Sequence, residues 1–234
     1  GLAVAGLTGG VSGLGMCMKS RIEAVFVGAL RPLPPEGQQT GMFKMPVAGP
    51  VVAEREGLAG DMQADLRVHG GPEKAVHYDP AEHYAALAAR VPALAGVLIP
   101  GVLGENLSGR GLTEDSVCIG DVFAIGTCRL QVSQPRQPCW KISHRLGHEP
   151  MSRVIADAGL TGWYFRVLEA GEISAGDGIE CVERPAPGLT LARLWTARLA
   201  HRPDPAELRC LAAAPGLNPD WVTRLVERAA WLAG

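Results

Sequence analysis

This sequence predicts a mainly β fold of mixed β/α content, a barrel of short strands with a few short helices, followed by a small three-helix tail. Three observations carry that expectation. Short apolar runs recur between turn signals, helical stretches in the first four-fifths of the chain are few and brief, and the pattern changes at Pro185-Ala-Pro-Gly188. Beyond that point apolar residues return at helical spacing. Many short strands are buried most economically by closing them on one another, which also removes their exposed edges.

Taken in order, Ile22-Glu-Ala-Val-Phe-Val-Gly28 reads as a first strand, and a proline-rich loop through Glu36 and an apolar stretch at Val51-Val52 follow. Gly-Asp recurs at Gly60-Asp61, Gly120-Asp121 and Gly176-Asp177. The last two stand before Val-Phe-Ala-Ile and Gly-Ile-Glu-Cys-Val-Glu, which is turn chemistry opening strands. Arg129 to Ser133 and Trp163 to Leu168 add two more strands. Asp79-Pro80 is expected to cap an alanine-rich helix ending at Arg90, and Ser152 to Ala158, closed by Gly159, a second one. In the tail Leu191, Leu194, Trp195, Leu199, Leu208, Leu211, Trp221, Leu225 and Trp231 mark apolar faces, with Asn218-Pro219 as a further cap. The expected organisation is an N-terminal scar or extension over residues 1–18 without fixed structure, a barrel domain over 19–186 and a three-helix domain over 187–234.

With 234 residues, 47% of them hydrophobic and 20% charged, the chain can bury a full core. A formal net charge of -2 argues against a general nucleic-acid binder, so any anionic ligand must be held by a local pocket. The six cysteines, at 17, 118, 128, 139, 181 and 210, include no C-x-x-C pair and do not resemble a disulfide framework. A reducing cytoplasm fits that usage. No apolar run approaches the ~18 residues of a bilayer span, and in Gly1 to Gly15 the positive charge comes last, the reverse of a secretion signal.

The stretch richest in chemistry is Ser133-Gln-Pro-Arg-Gln-Pro-Cys139-Trp140. Pro135 and Pro138 fix φ and remove two donors, so the preceding strand is expected to stop and turn before Cys139. Arg136 and Lys141 flank the thiol, and cationic neighbours favour the thiolate, which is both a nucleophile and a soft metal ligand. A small buried hydrophobe is the other reading of Cys139. A second segment, Arg67-Val-His69-Gly70-Gly71-Pro-Glu-Lys74-Ala-Val-His77, offers two glycines able to turn amides toward an anion, surrounded by Arg67, His69 and Lys74. It also reads as a hairpin turn with solvated charges. In Gly104-Glu105-Asn106-Leu107, Asn106 carries a donor and an acceptor that suit the amide edge of a heterocycle or a loop cap. His144 and His148 stand four apart, but the intervening Gly147 and the lack of H-E-x-x-H leave little case for zinc. There is no G-x-S-x-G, P-loop or G-x-G-x-x-G motif.

Taken together, V-H-G-G-P-E-K-A-V-H at 68–77, G-E-N-L at 104–107, I-G-D at 119–121 and Q-V-S-Q-P-R-Q-P-C at 131–139 resemble the MOSC domain, the module related to the C-terminus of molybdenum-cofactor sulfurase, and are most similar to its YiiM-type branch. The resemblance runs from about Ile22 to Arg184, and the tail is similar to the short helical domain that follows MOSC in that branch. It implies a β-barrel that binds a pterin-based molybdenum cofactor (molybdopterin), with Cys139 as the protein ligand to molybdenum. It implies two-electron reduction of N-hydroxylated compounds, hydroxylaminopurine or hydroxylamine, with a separate flavoprotein reductase as electron donor. Arg67, Gly70, Gly71 and Lys74 would hold the pterin phosphate, Arg136 the thiolate and a cofactor oxygen, with Asn106 and Gln134 also placed in the cofactor site. His69, Glu105 and His144 are the candidate proton donors. The rival readings are a cofactor or sulfur carrier with a persulfide on Cys139, and an interaction protein whose tail docks a partner.

Overall fold

The structure, a computed structural model, describes residues 20–35, 37–64 and 70–234. The expected N-terminal extension, Arg67 and His69 lie outside the described residues. The organising strand is β10 (Cys128–Pro135), where Cys128, Leu130 and Val132 alternate inward as a half-buried strand requires. It pairs antiparallel with β9 (Val122–Ile125) on one side and β11 (Trp163–Glu169) on the other. Beyond β9 lies β13 (Ile179–Glu183), and beyond β11 come β7 (Val76–Pro80), β8 (Leu107–Arg110), β1 (Arg21–Val27) and β4 (Met45–Pro46), eight strands in all.

The sheet curls until its ends meet. Ile22 N–H donates to Asp177 O at 2.9 Å and Ile179 N–H to Ser20 O at 2.9 Å, joining β1 to the start of β13. The barrel reading is thus correct, and a smaller sheet of β12 (Gly171–Ile173), β5 (Val51–Glu54) and β6 (Gly57–Leu58) and a hairpin of β2 (Arg31–Leu33) with β3 (Gln38–Thr40) complete the strands. Tyr78 and Trp163 stack inside at 4.5 Å between ring centres, and Phe165 meets both edge-on.

Two local expectations are corrected. Asp79-Pro80 does not cap a helix: both residues end β7, paired parallel with Ser108 and Gly109, and α1 (Glu82–Arg90) begins only after Ala81. The parallel pairing of β7 with β8 needs a crossover, and α1 with the loop after it supplies one, so sheet pairing outweighs the local capping preference. Pro135 likewise does not end its strand early, because β10 runs through it with Pro135 opposite Trp163. A register shift between Val132 and Gln134 bends the strand first.

Two short helices follow Cys139, namely α2 (Trp140–Leu146) and α3 (Met151–Ala158). Gly147 and Gly159, in the left-handed region at φ 60° and 69°, terminate them. Ile142, Met151 and Ile155 pack with Tyr84 and Leu87 of α1 into a second apolar cluster beside the barrel. In the tail, α4 (Leu191–Leu199), α5 (Pro205–Ala212) and α6 (Pro219–Ala233) start at the side-chain caps Thr190, Asp204 and Asn218. Leu194, Leu208, Trp221 and Leu225 belong to the same apolar cluster as Phe123, Leu130 and Val132 of the barrel. The fit is close: a Cβ on Gly120 would stand 2.0 Å from Pro215 O, and Gly120 has φ 75°. No described helix is long and apolar enough to cross a membrane.

Candidate functional site

Cys139 sits where β10 gives way to α2. Arg136 N–H donates to Gly162 O at 3.0 Å, holding the chain to the barrel one residue past the strand. Cys139 is then extended (φ -113°, ψ 163°), half-buried, and accepts at its carbonyl from Ile142 N–H at 3.1 Å. Its side chain lines an open cleft, which Lys44, Lys74, His77, Arg136, Lys141 and Tyr164 also line. The thiol is neither sealed in the core nor free on a flat surface.

The cations of this cleft differ in how far the protein neutralises them. Lys44 forms an ion pair with Asp61, and the two side chains are 6% and 1% exposed. Asp61 also accepts from Gly28 N–H at 3.0 Å and from Asn106 Nδ2 at 2.9 Å. Burial holds the Lys44 ammonium below its usual range, with Asp61 opposing. Arg136 is 5% exposed; its Nη2 donates to Leu103 O at 3.1 Å, while Nη1 is buried without a partner among the described residues. Lys74 is lowered by burial, Asp220 opposes that shift and Arg224 adds to it, so α6 reaches the edge of the cleft. Lys141 Nζ donates to Gln39 O at 3.3 Å.

Behind the wall lies a buried polar chain. His77 packs its ring against Tyr164 at 5.2 Å, and its Nε2, without a hydrogen-bond partner, stands 3.8 Å from Asp79 Oδ2. Burial, with Arg136 and Lys44 adding to it, keeps His77 well below the ordinary imidazole range and hence neutral. Asp79 Oδ1 is 2.7 Å from His83 Nδ1, and His83 Nε2 is 3.0 Å from Glu114 Oε2. Burial works against charge on His83, but Asp79 and Glu114 outweigh it and push its pKa up to about 10. Asp79 itself is raised by burial, His83 opposing. Glu105, pushed up to about 7 by burial and then by Asp79, accepts from the Tyr84 hydroxyl and Gly101 N–H.

Of the residues singled out in the sequence, Cys139, Lys74, Arg136 and Asn106 come together in the cleft. Asn106 is there as scaffold: its Oδ1 accepts His77 N–H at 3.0 Å, and its Nδ2 donates to Asp61 and, at 3.3 Å, to Phe26 O. Glu105 points to Tyr84, behind the wall. Gln134 is buried, and its Oε1 accepts from Asn218 Nδ2, tying β10 to the tail. His144 lies on α2, edge-on to the Trp140 ring at 5.4 Å and outside the cleft lining. Gly71, at φ 85°, opens the 3₁₀ turn Pro72–Lys74 that presents Lys74, and Gly70 precedes it outside the cleft lining. Lys44, Asp61, His77 and Tyr164 were not singled out for the site; Lys44 lies in a loop without motif, and His77 stood inside a recognised motif without a role.

The MOSC domain family model matches residues 65–180. The protein YiiM of Escherichia coli is 35% identical over 195 residues, 83% of this chain and 86% of that one. A protein of Gibberella moniliformis named reductase is 36% identical over 149 residues, 63% of this chain and 26% of that protein. The crystal structure of YiiM from Geobacillus stearothermophilus superposes with a TM-score of 0.76 at 32% identity, covering 90% of this chain and 99% of that one. Barrel, helical tail and cleft cysteine thus occur in a chain that belongs to the MOSC domain family, in its YiiM-type branch.

Proposed function

We propose that the chain binds a molybdenum cofactor in the Cys139 cleft and reduces N-hydroxylated compounds of the hydroxylaminopurine or hydroxylamine type. The observation that carries this reading is the convergence of a half-exposed thiol with a buried guanidinium whose Nη1 has no partner. A buried unpaired donor on a cation costs on the order of 1–3 kcal/mol unless an anionic ligand meets it. Among the described residues no group of three His, Cys, Asp or Glu side chains could hold a metal ion, so a metal at Cys139 would have to bring its other ligands. A pterin dithiolene does so, and the residues present fit it.

In this reading Cys139 Sγ ligates the metal, and Arg136 Nη1 with Lys74 and Lys141 faces the anionic parts of the cofactor. The bound cofactor supplies a metal centre that passes two electrons to an N–O bond. The overall change, R–NHOH + 2H⁺ + 2e⁻ → R–NH₂ + H₂O, needs an electron source, for which the reading assigns an external flavoprotein. A proton is held on the protein side at Glu105, which burial and then Asp79 push up to about 7. Asp61 and Asn106 fix the wall that carries Lys44 and His77. Expression in a host that makes the cofactor, followed by metal analysis and an N-hydroxylated base assay, tests this. Wild type should hold molybdenum and turn over, and Cys139→Ala should do neither. Full turnover by Cys139→Ala overturns the ligand role, and a molybdenum-free wild-type protein carrying a persulfide favours the sulfur-carrier reading.

A further inference from the structure

Next to the cleft runs a second groove with a cavity volume of about 250 Å³, lined by Gln137, Arg198, Trp221, Arg224, Leu225 and Arg228. Gln137, two residues before Cys139, lines both, so the two hollows lie on either side of one residue. The groove's lining contains three arginines and no acid, in a chain whose net charge is -2. Arg228 is fixed, donating from Nη1 to Arg198 O at 3.0 Å and to Ala197 O at 3.3 Å, and from Nη2 to Ala200 O and His201 O, which closes the end of α4. The exposed side chains of Arg198 and Arg224 have no ion-pair partner among the described residues. Arg224 is close enough to Lys74 for the two like charges to be felt, with Asp220 opposing that effect at Lys74. Trp221 and Leu225 give the groove an apolar floor.

Positive charges gathered without acids around a hollow large enough for a phosphate are the setting in which one binds. Resting on the reductase reading, we infer that the groove holds the phosphate end of the substrate, so that the favoured substrate is a nucleotide of an N-hydroxylated base. The base would enter the Cys139 cleft, the sugar would pass Gln137, and the phosphate would lie between Arg198 and Arg224. Two charge-assisted contacts from exposed arginines correspond to roughly a ten-fold preference for nucleotide over base.

The test compares cofactor-loaded wild type with the double variant Arg198→Glu/Arg224→Glu, both substitutions falling on exposed side chains. KM is measured for 6-hydroxylaminopurine and for its riboside 5′-monophosphate. Binding of adenosine 5′-monophosphate is followed by calorimetry, and molybdenum content is recorded. The expected result is a nucleotide KM well below the base KM in wild type. In the variant that roughly ten-fold ratio should collapse toward one, nucleotide binding should be lost and molybdenum retained. Equal KM values in wild type overturn the proposal. So does loss of molybdenum in the variant, which would assign the groove to the cofactor's own phosphate, or a rise only in the KM for the electron donor, which would assign it to a partner protein. If loaded wild type reduces neither compound, the reductase reading fails by itself, and the calorimetry still decides the groove: binding lost in the variant supports a nucleotide site, and no binding by wild type removes it.

Discussion

Replacing Asp61 by asparagine should destabilise the protein through the wall of the cleft. The carboxylate faces three donors, Lys44 Nζ, Gly28 N–H and Asn106 Nδ2, and is 1% exposed. An amide in its place keeps one acceptor but turns an NH₂ toward at least one of those donors, and it leaves the buried Lys44 ammonium without its counter-charge. Breaking one half of a buried pair costs about 3–5 kcal/mol. Lys44, already lowered by burial, can shed its proton, which places the expectation at the lower part of that range. For a chain of this size each kcal/mol moves Tm by roughly 2–4 °C, so thermal unfolding followed by circular dichroism should show a fall of roughly 6–12 °C. The double variant Asp61→Asn/Lys44→Met should recover much of the loss, because the stranded charge is gone. A single variant within 1 °C of wild type, or a double variant less stable than the single one, would refute the reasoning.

Other consequences follow from the buried polar chain and from the tail. His83, whose folded pKa is raised to about 10, contributes stability that is complete below its unfolded value near ~6.5 and is lost as pH rises toward 10. Denaturant unfolding between pH 7 and 10 should therefore show falling stability, with His83→Gln flattening the slope; an equal slope in both proteins would contradict the pairing with Asp79 and Glu114. Asn218→Ala removes the cap of α6 and the bond to Gln134, and leaves the buried Gln134 Oε1 unsatisfied. The expected loss is about 2 kcal/mol in denaturant unfolding, with amide exchange rising in both α6 and the end of β10. Exchange rising in α6 alone would mean that the tail does not support the cysteine strand.

The sequence showed the cysteine more clearly than the site around it. Two prolines, an arginine and a lone thiol within eight residues are a local pattern, and the thiol emerges at a cleft. The strand runs further than the prolines suggest, because Pro135 has a partner in Trp163, twenty-eight residues away, that no local rule reveals. Asn106 stood out for the right segment and the wrong reason, since both ends of its amide serve the protein. Lys44 and Asp61 are seventeen residues apart in loops without periodicity, and only the closed barrel brings them together. Asp79 carried a capping signal that the parallel pairing with β8 overrode, and its side chain was thereby freed for His83. Local chemistry marks single residues well, whereas ion pairs across loops are products of topology.

The central claim is that Cys139 Sγ binds the metal, and X-ray absorption at the molybdenum edge of loaded protein tests it most directly. Wild type should show one more sulfur neighbour than Cys139→Ser, or the variant should hold no molybdenum at all. A variant that keeps its molybdenum with an unchanged sulfur shell would contradict the claim.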